Sequence, residues 1–422
     1  MLRNEIHIDE IPKIFIRFCE IVDQKLWLKR EQSIKKEIRG LPLLKDYLLE
    51  ENSLIFKLAT LSQLIEQYGW IPRSYRKNSE FYPAITFAAQ VLSLHDHIQA
   101  SQKLAFLGRV RGALKNLDEL KALLLEFTAI TQFERLNFPV SLPEVGVSAS
   151  FDLLVENIGI NGLEIECKTI SADTGRKITR RQAIEFFNIA RPSIVSALQD
   201  FQGGMCVVLT IPARMPSSSE GKLELVRLVT ENIISYQAES SSLDSSIHIS
   251  KFDLDLIKDV EINSSRTIRT KVNKITGTEN QEVMIIGNSK RVLAFAIQSE
   301  QETVLLERIH NTIKDSAKRQ ISKTRPAIYI VGLEGIGPEE LVNLATHDFD
   351  SKNIPTGLRK TVSKLLANPD RKHVVGIGFL SRMSMDNSIM GVSSEIGSVY
   401  FFPNKESSFW HKDFSGLFPK WE

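Results

Sequence analysis

The chain has 422 residues, 42% of them apolar and 25% charged, a composition typical of globular proteins with two or three domains. A formal net charge of +2 excludes a globally basic protein, so any nucleic-acid binding must come from local patches. Three widely separated cysteines give neither a disulfide framework nor zinc-ligand spacing. No stretch approaches the roughly 18 apolar residues of a membrane span, and the N-terminus lacks the apolar core of a signal peptide. We therefore expect a cytoplasmic protein with no membrane association.

Residues 1–110 are predicted to be mostly helical, because apolar side chains such as Leu54, Leu58 and Leu61 recur at helical spacing. Within this region, residues 70–82 mix aromatic and basic side chains. Such a segment can bind nucleic acid, with cations for phosphate and rings for stacking. It can equally be a proline-containing loop anchored to the core by its aromatic rings, and we favour this second interpretation.

The next predicted helix covers residues 117–136 and contains one unusual carboxylate, Glu126. The residues three and four positions from it are apolar: Ala122, Leu123, Ala129 and Ile130. This spacing places Glu126 on the core-facing stripe of the helix. Acidic side chains are rarely buried unless they are paired or bind a metal. Glu126 is therefore either a functional carboxylate or one that reaches solvent from the edge of the stripe.

Residues 149–170 are predicted to form a hairpin of two strands, with Asp152 near the start of the first. Side chains alternate between faces along a strand, so Glu166 and Lys168 share one face of the second strand. Cys167 points to the other face. Burying carboxylates and an ammonium on an apolar strand is unfavourable unless something compensates their charge. A divalent cation between them would provide that compensation.

A basic loop follows the second strand and leads into a predicted helix from Gln182 to about Leu198. The loop carries four cations: Arg176, Lys177, Arg180 and Arg181. A basic loop directly beyond a carboxylate-bearing strand is suited to holding a phosphate backbone. The alternative is an ordinary solvated run of charge.

The remaining pattern predicts an α/β fold with a mixed central β-sheet flanked by helices and a mostly helical N-terminal region. We predict three parts: a helical region at 1–110, a core at 111–240, and an α/β region at 241–422 that partly completes the sheet of the core. The completing elements are a helix within 302–322 and the apolar strand at 327–332. In that case residues 213–300 contain an insertion.

Taken in order, these segments resemble the PD-(D/E)xK nucleases, a superfamily with the restriction-endonuclease-like fold. The resemblance is carried by Leu125-Glu126-Phe127 on the helix, Ser150-Phe151-Asp152-Leu153 on the first strand, and Glu166-Cys167-Lys168 on the second. It covers about 110 of the 422 residues. The proline of the family name is replaced by Phe151, at a position that varies widely in the superfamily.

The resemblance implies that Asp152 and Glu166 bind Mg²⁺, for which Mn²⁺ can substitute, with the backbone carbonyl of Cys167 as a third ligand. It makes Lys168 the catalytic lysine and Glu126 a helical glutamate that helps bind the metal or a water. Gln182 falls where some families place a glutamine that organises phosphate or metal. Such a metal lowers the pKa of a bound water and neutralises charge at phosphorus, while the lysine positions the attacking water.

We therefore expect a metal-dependent endonuclease that hydrolyses DNA, with DNA favoured over RNA, acting in restriction or defence against foreign DNA. Double-strand cutting with one site per chain would favour a homodimer, and activity can require a partner protein of a defence system. The alternative is a non-cleaving nucleic-acid-binding or assembly module on a nuclease-like scaffold. Catalysis by a serine or cysteine nucleophile is disfavoured because no Gly-x-Ser-x-Gly motif occurs, and an ATP-driven motor is disfavoured because no P-loop occurs.

Overall fold

A computed structural model shows that the chain is an α/β protein with mixed sheets flanked by helices and a helical N-terminal region, as predicted. The structure describes residues 6, 8–72, 81–143, 151–236, 239–242, 245–257, 271, 274–275, 282–288, 290–381 and 398–418. Most of the aromatic and basic segment at 70–82 and the first residues of the predicted hairpin therefore lie outside the described residues. None of the helices that the structure describes is both long and apolar enough to cross a membrane.

Twelve α-helices are described within these ranges. They are α1 Ile11–Val22, α2 Lys25–Gly40, α3 Lys45–Glu51, α4 Ser53–Tyr68, α5 Tyr82–His97, α6 Ala100–Ala113, α7 Leu117–Arg135, α8 Arg180–Ala197, α9 Ser219–Ser235, α10 Leu305–Arg319, α11 Pro338–Phe349 and α12 Gly357–Leu366. Helix α7 starts at a clear signal, since the Asn116 side chain accepts hydrogen bonds from the Asp118 and Glu119 amides.

The described strands form two mixed sheets. They are β1 Val140–Ser141, β2 Leu153–Val155, β3 Leu163–Ile170, β4 Gly203–Ile211, β5 Glu239–Ser242, β6 Ser245–Phe252, β7 Glu282–Asn288, β8 Arg291–Ser299, β9 Ala327–Leu333, β10 Val374–Ser381 and β11 Val399–Pro403. One sheet has the order β1-β2-β3-β9-β10-β11 and the other the order β5-β6-β4-β8-β7.

The chain divides into two compact units. The first unit contains Met1–Ile34, Leu49–Thr174 and Leu305–Glu422, and the second contains Lys35–Leu48 and Gly175–Val304. The six-stranded sheet belongs to the first unit and the five-stranded sheet to the second. These divisions differ from the predicted boundaries at 110/111 and 240/241. The core predicted at 111–240 is split after residue 174, because β4 pairs with β6 and β8 rather than with β3.

In the first unit, β3, β9 and β10 run parallel at the centre of the sheet. Helices α10, α11 and α12 cover one face and bury apolar side chains such as Ile313, Tyr329 and Phe379. Helix α7 packs against β3 on the opposite face, where Leu125 lies close to Gly332. The N-terminal helices form their own core, in which the rings of Phe18 and Trp27 stack with centroids 5.4 Å apart.

In the second unit, β4 and β8 are parallel neighbours at the centre of the sheet, and the other pairs are antiparallel. Helices α8 and α9 pack together and cover one face. The buried rings of Phe186 and Phe187 both contact Phe295 of β8. This unit therefore has a hydrophobic core of its own.

Candidate active site

Strand β3 brings two of the predicted residues together on the face covered by α10. Glu166 is fully buried, and its Oε1 accepts a hydrogen bond from Lys168 Nζ at 2.5 Å. Ser316 of α10 also donates to Glu166 Oε1, at 3.4 Å. The other carboxylate oxygen, Oε2, is buried and has no hydrogen-bond partner. A buried carboxylate oxygen without a donor is costly, so this atom is available for an added ligand.

Asp152 is held against β3 by the backbone. It immediately precedes β2, and its amide donates to the Ile165 carbonyl at 3.1 Å. Its Oδ2 accepts a hydrogen bond from the Cys167 amide at 2.8 Å. The register Leu153↔Ile165 places Asp152 opposite Glu166 on the neighbouring strand. The Asp152 carboxylate is therefore fixed beside the segment that carries Glu166 and Lys168.

Glu126 approaches the same place from helix α7. Only 3% of the residue is exposed, so the prediction from its apolar neighbours that this carboxylate lies on the buried face of the helix is confirmed. Its Oε1 accepts a hydrogen bond from Arg109 of α6. Glu126 experiences the charges of Asp152 and Lys168, which places all three within electrostatic range of one another.

All three carboxylates hold a proton more strongly than a free carboxylate does. Burial, followed by the negative charge of Asp152, raises the pKa of Glu126 and that of Glu166 to about 7 each. Burial also raises the pKa of Asp152, although the Cys167 amide and the charges of Lys168 and Arg109 oppose this rise. Perturbed carboxylates that converge in this way are typical of functional sites.

Three further ionisable groups lie near this cluster. Tyr329 of β9 donates a hydrogen bond to Ser316 Oγ at 3.3 Å, so a buried hydroxyl chain leads to Glu166. The Cys167 thiol is buried, and burial together with the nearby carboxylates raises its pKa, which excludes a thiolate nucleophile near neutral pH. On the same face of β3, Glu164 is bound instead by the Ser322 amide at 3.0 Å and does not join the cluster.

An open cleft of about 460 Å³ adjoins the cluster. Its wall contains Lys168 of β3. The other lining residues come from α10 and its C-terminal end: Thr312, Asp315, Ser316, Arg319 and Gln320. The volume falls within the range of about 300–1,000 Å³ that is usual for small-molecule sites. Lys168 therefore faces both the carboxylates and a space large enough for a substrate group.

The residues predicted to hold phosphate belong to the second unit. Arg176 pairs with Glu282, and Arg181 pairs with Glu37 and Glu185. The Arg180 guanidinium lies 5.3 Å from the centre of the Tyr47 ring. Gln182 caps α8, since its Oε1 accepts from the Thr179 amide at 3.0 Å. Structural contacts within the second unit thus engage these four side chains, and Lys177 lies half-buried beside them in the chain.

The oxygen donors of the cluster bear on whether it can hold a divalent cation. Among the residues that the structure describes, no three His, Cys, Asp or Glu side chains form a ready-made metal site. Arg109 and Lys168 instead pair with the carboxylates of Glu126 and Glu166. The chemistry nevertheless fits a hard cation such as Mg²⁺, which takes oxygen ligands, because Glu166 Oε2 lacks a partner and the charge of Asp152 repels both Glu126 and Glu166.

Three residues of this arrangement were not predicted from the sequence: Arg109, Ser316 and Tyr329. Arg109 is one of many cations on the N-terminal helices, and nothing in the local pattern distinguishes it. Ser316 lies among the buried Ile309, Ile313 and Ala317 on α10, so a polar residue on an apolar stripe was a usable signal.

The Arg109–Glu126 pair leads to a stability prediction. Removing the guanidinium in Arg109→Ala leaves a buried carboxylate without its cation and raises the pKa of Glu126 above about 7. Because the folded pKa exceeds the unfolded value, stability is lost as pH rises through it. We expect Arg109→Ala to lower the free energy of unfolding, measured by urea denaturation, by about 1–3 kcal/mol at pH 8. At pH 5.5 the variant should be as stable as the wild type.

Arg17→Ala is the matched control, since it breaks an exposed pair with Asp96 in the same helical region. Such pairs contribute about 0–1 kcal/mol. The pKa of Asp96 is lowered by Arg17, so its carboxylate stays charged at both pH values. An Arg109→Ala effect that is equal at pH 5.5 and pH 8 would contradict the prediction.

No protein-family model, curated protein or solved structure matches this chain. Its function is therefore inferred from the geometry and chemistry of the cluster.

Proposed function

We propose that the chain is a Mg²⁺-dependent nuclease that hydrolyses phosphodiester bonds of DNA. The observation that supports this most is the convergence of Glu126, Asp152, Glu166 and Lys168 from one helix and two strands. These side chains come from segments up to 42 residues apart, and the fold brings them beside the start of β2 and the middle of β3. A scaffold without chemistry would not require two buried carboxylates and a half-buried one beside a lysine.

The proposed ligands for Mg²⁺ are Asp152, Glu166 and the Cys167 carbonyl, with Glu126 holding the ion or a water. Bound Mg²⁺ would supply positive charge against the charge that builds on phosphorus, and would lower the pKa of a coordinated water. Lys168 would orient the attacking water and stabilise the negative charge of the transition state. Arg109 would hold Glu126 in place through their ion pair.

The order of elements supports a restriction-endonuclease-like fold in the first unit. Helix α7, strands β2 and β3, helix α10 and strand β9 follow the helix–strand–strand–helix–strand order of that fold. Residues 175–304 form the second unit between β3 and α10, so the proposed insertion is larger than the sequence suggested.

The proposed setting is the cytoplasm, where all three cysteines, which are free, would remain reduced. Restriction or defence against foreign DNA is the proposed role, with DNA favoured over RNA. Double-strand cleavage would be carried out by a homodimer that supplies two sites, and a partner protein of a defence system would be a second route to activation.

A non-cleaving nucleic-acid-binding module is the second candidate, and one observation favours it. Lys168 and Arg109 pair directly with Glu166 and Glu126, and such pairs would neutralise buried carboxylates in a scaffold that binds no metal. The two candidates differ in one respect that can be measured, since only the nuclease needs a divalent cation.

The test is incubation of the purified full-length protein with plasmid, linear duplex, single-stranded DNA and RNA, in Mg²⁺, Mn²⁺ or EDTA. We expect cleavage of DNA in either metal and none in EDTA. Cleavage that persists in EDTA would contradict the metal site. Binding of nucleic acid without cleavage in any metal would favour the non-cleaving module.

A further inference from the structure

Positive charge is concentrated in two segments of the first unit. Residues 305–325 and 357–372 contain eleven Lys or Arg and three Asp or Glu, which gives a formal charge of +8 against +2 for the whole chain. These segments include α10 and α12, which pack against each other. The fold therefore brings together two basic helices that are separated by more than thirty residues in the sequence.

Three of these cations lie near His310 of α10. Burial, followed by the positive charges of Arg371, Lys364 and Lys314, lowers the pKa of this histidine. Lys314 and Lys364 are exposed, whereas Arg371 is half-buried and donates to the Leu365 carbonyl at 3.1 Å. We call Lys314, Lys364 and Arg371 the basic surface.

Helix α10 connects the basic surface with the cleft beside Lys168. Helical periodicity places Thr312, Asp315 and Arg319 along one flank of α10, and these residues line the cleft. His310 and Lys314 lie on the opposite flank, toward α12. An extended polymer ligand that crosses α10 can therefore contact the basic surface and Lys168 at the same time.

We propose that the basic surface binds the phosphate backbone of the nucleic acid whose scissile phosphate reaches Lys168. This proposal rests on the nuclease function proposed above. The charge density favours a polyanion, because eleven cations are opposed by only three carboxylates. Position favours nucleic acid among polyanions, since α10, which carries Lys314 of the basic surface, also forms the wall of the cleft at the carboxylate cluster.

The basic loop at 176–181 is the contrasting case. Its Arg176 and Arg181 pair with carboxylates of their own unit, so a phosphate would have to compete with Glu282, Glu37 and Glu185. Lys314 and Lys364 are exposed, and Glu307 is the carboxylate whose charge acts on His310 beside them. Backbone binding is therefore assigned to α10 and α12 rather than to this loop.

The experiment measures binding of a labelled DNA duplex by fluorescence anisotropy in EDTA, so that no cleavage is required. Affinity is followed between about 50 and 200 mM salt for the wild type and for the double variant Lys314→Gln, Lys364→Gln. Two lost phosphate contacts should lower the slope of log K against log salt by about 1.8 and weaken binding at low salt. The control is Lys29→Gln, Lys36→Gln, which removes two exposed lysines seven positions apart on α2 and should leave the slope unchanged.

The outcomes separate this proposal from the nuclease function. If the wild type cuts DNA but the Lys314/Lys364 variant keeps the wild-type slope, the basic surface is overturned and the nuclease stands. If the variant loses affinity but neither protein cuts in Mg²⁺, the surface binds nucleic acid and the nuclease function fails. Vesicles containing anionic lipid are measured in parallel. Loss of vesicle binding with unchanged DNA binding would overturn the assignment to nucleic acid.

Discussion

Lys168→Ala is expected to slow Mg²⁺-dependent cleavage of DNA by about 10²- to 10⁴-fold, the range for a positioned proton-transfer group. Lys168 Nζ lies 2.5 Å from Glu166 Oε1 and lines the cleft, so it lies between a proposed metal ligand and the space for the scissile phosphate. An ammonium group is not a metal ligand. Mn²⁺ binding at pH 8, measured by calorimetry, should therefore be retained while single-turnover cleavage is lost.

Lys13→Ala removes an exposed lysine of α1 and serves as the control, with wild-type rates expected. The Lys168 variant also leaves buried Glu166 without its cation, so its folding is verified by urea unfolding. Undiminished cleavage in a folded Lys168→Ala protein would remove the residue from the proposed mechanism. Equal loss of Mn²⁺ binding and cleavage would give it a structural role only.

Affinity for Mg²⁺ is expected to fall steeply below about pH 7. The pKa values of Glu126 and Glu166 are raised to about 7 by burial and by the charge of Asp152, and both carboxylates must lose their proton to bind the ion. The affinity should drop by about tenfold per pH unit for each proton released, as titration calorimetry between pH 5.5 and 8 would show.

The metal-free protein should show the opposite dependence in its stability. A carboxylate whose folded pKa is raised above the unfolded value near 4.5 stabilises the fold below that value. This contribution is lost as pH rises through about 7. Urea unfolding in EDTA should therefore reveal declining stability across this window, and excess Mg²⁺ should reduce the decline. The Glu166→Gln variant lacks one of these titrating carboxylates. The prediction would be contradicted if its Mg²⁺ affinity and its stability depended on pH as those of the wild type do.

The parts of the cluster that lie on regular elements were predictable from the sequence. Helical periodicity placed Glu126 among apolar neighbours, and this residue is buried. Strand alternation placed Glu166 and Lys168 on one face. In the structure Glu166 accepts a hydrogen bond from Ser316 of α10, and Lys168 lines the cleft formed with α10. These predictions depend only on local periods of 3.6 and 2 residues, which the side-chain pattern encodes directly.

Long-range partners were not predictable in the same way. The local pattern of β4 is that of a buried strand whichever sheet it joins, so the sequence placed it in the core although it pairs with β6 and β8. The Glu166–Ser316 contact joins residues 150 positions apart, and the Glu126–Arg109 pair depends on how α6 packs on α7. Proximity in sequence pointed to the 176–181 loop, whose arginines pair with other side chains.

Single-turnover cleavage of DNA in Mg²⁺ by the wild type, Asp152→Asn and Glu164→Gln tests the proposed site most directly. Asp152→Asn keeps the shape of the side chain but removes the charge beside Cys167 and Glu166. Glu164→Gln makes a matched change on β3, at a carboxylate bound by Ser322 rather than by the cluster. We predict cleavage by the wild type and Glu164→Gln and a loss of about a thousandfold or more in Asp152→Asn, which corresponds to about 4 kcal/mol of transition-state stabilisation. Equal cleavage by all three proteins would contradict the assignment of this cluster as the active site.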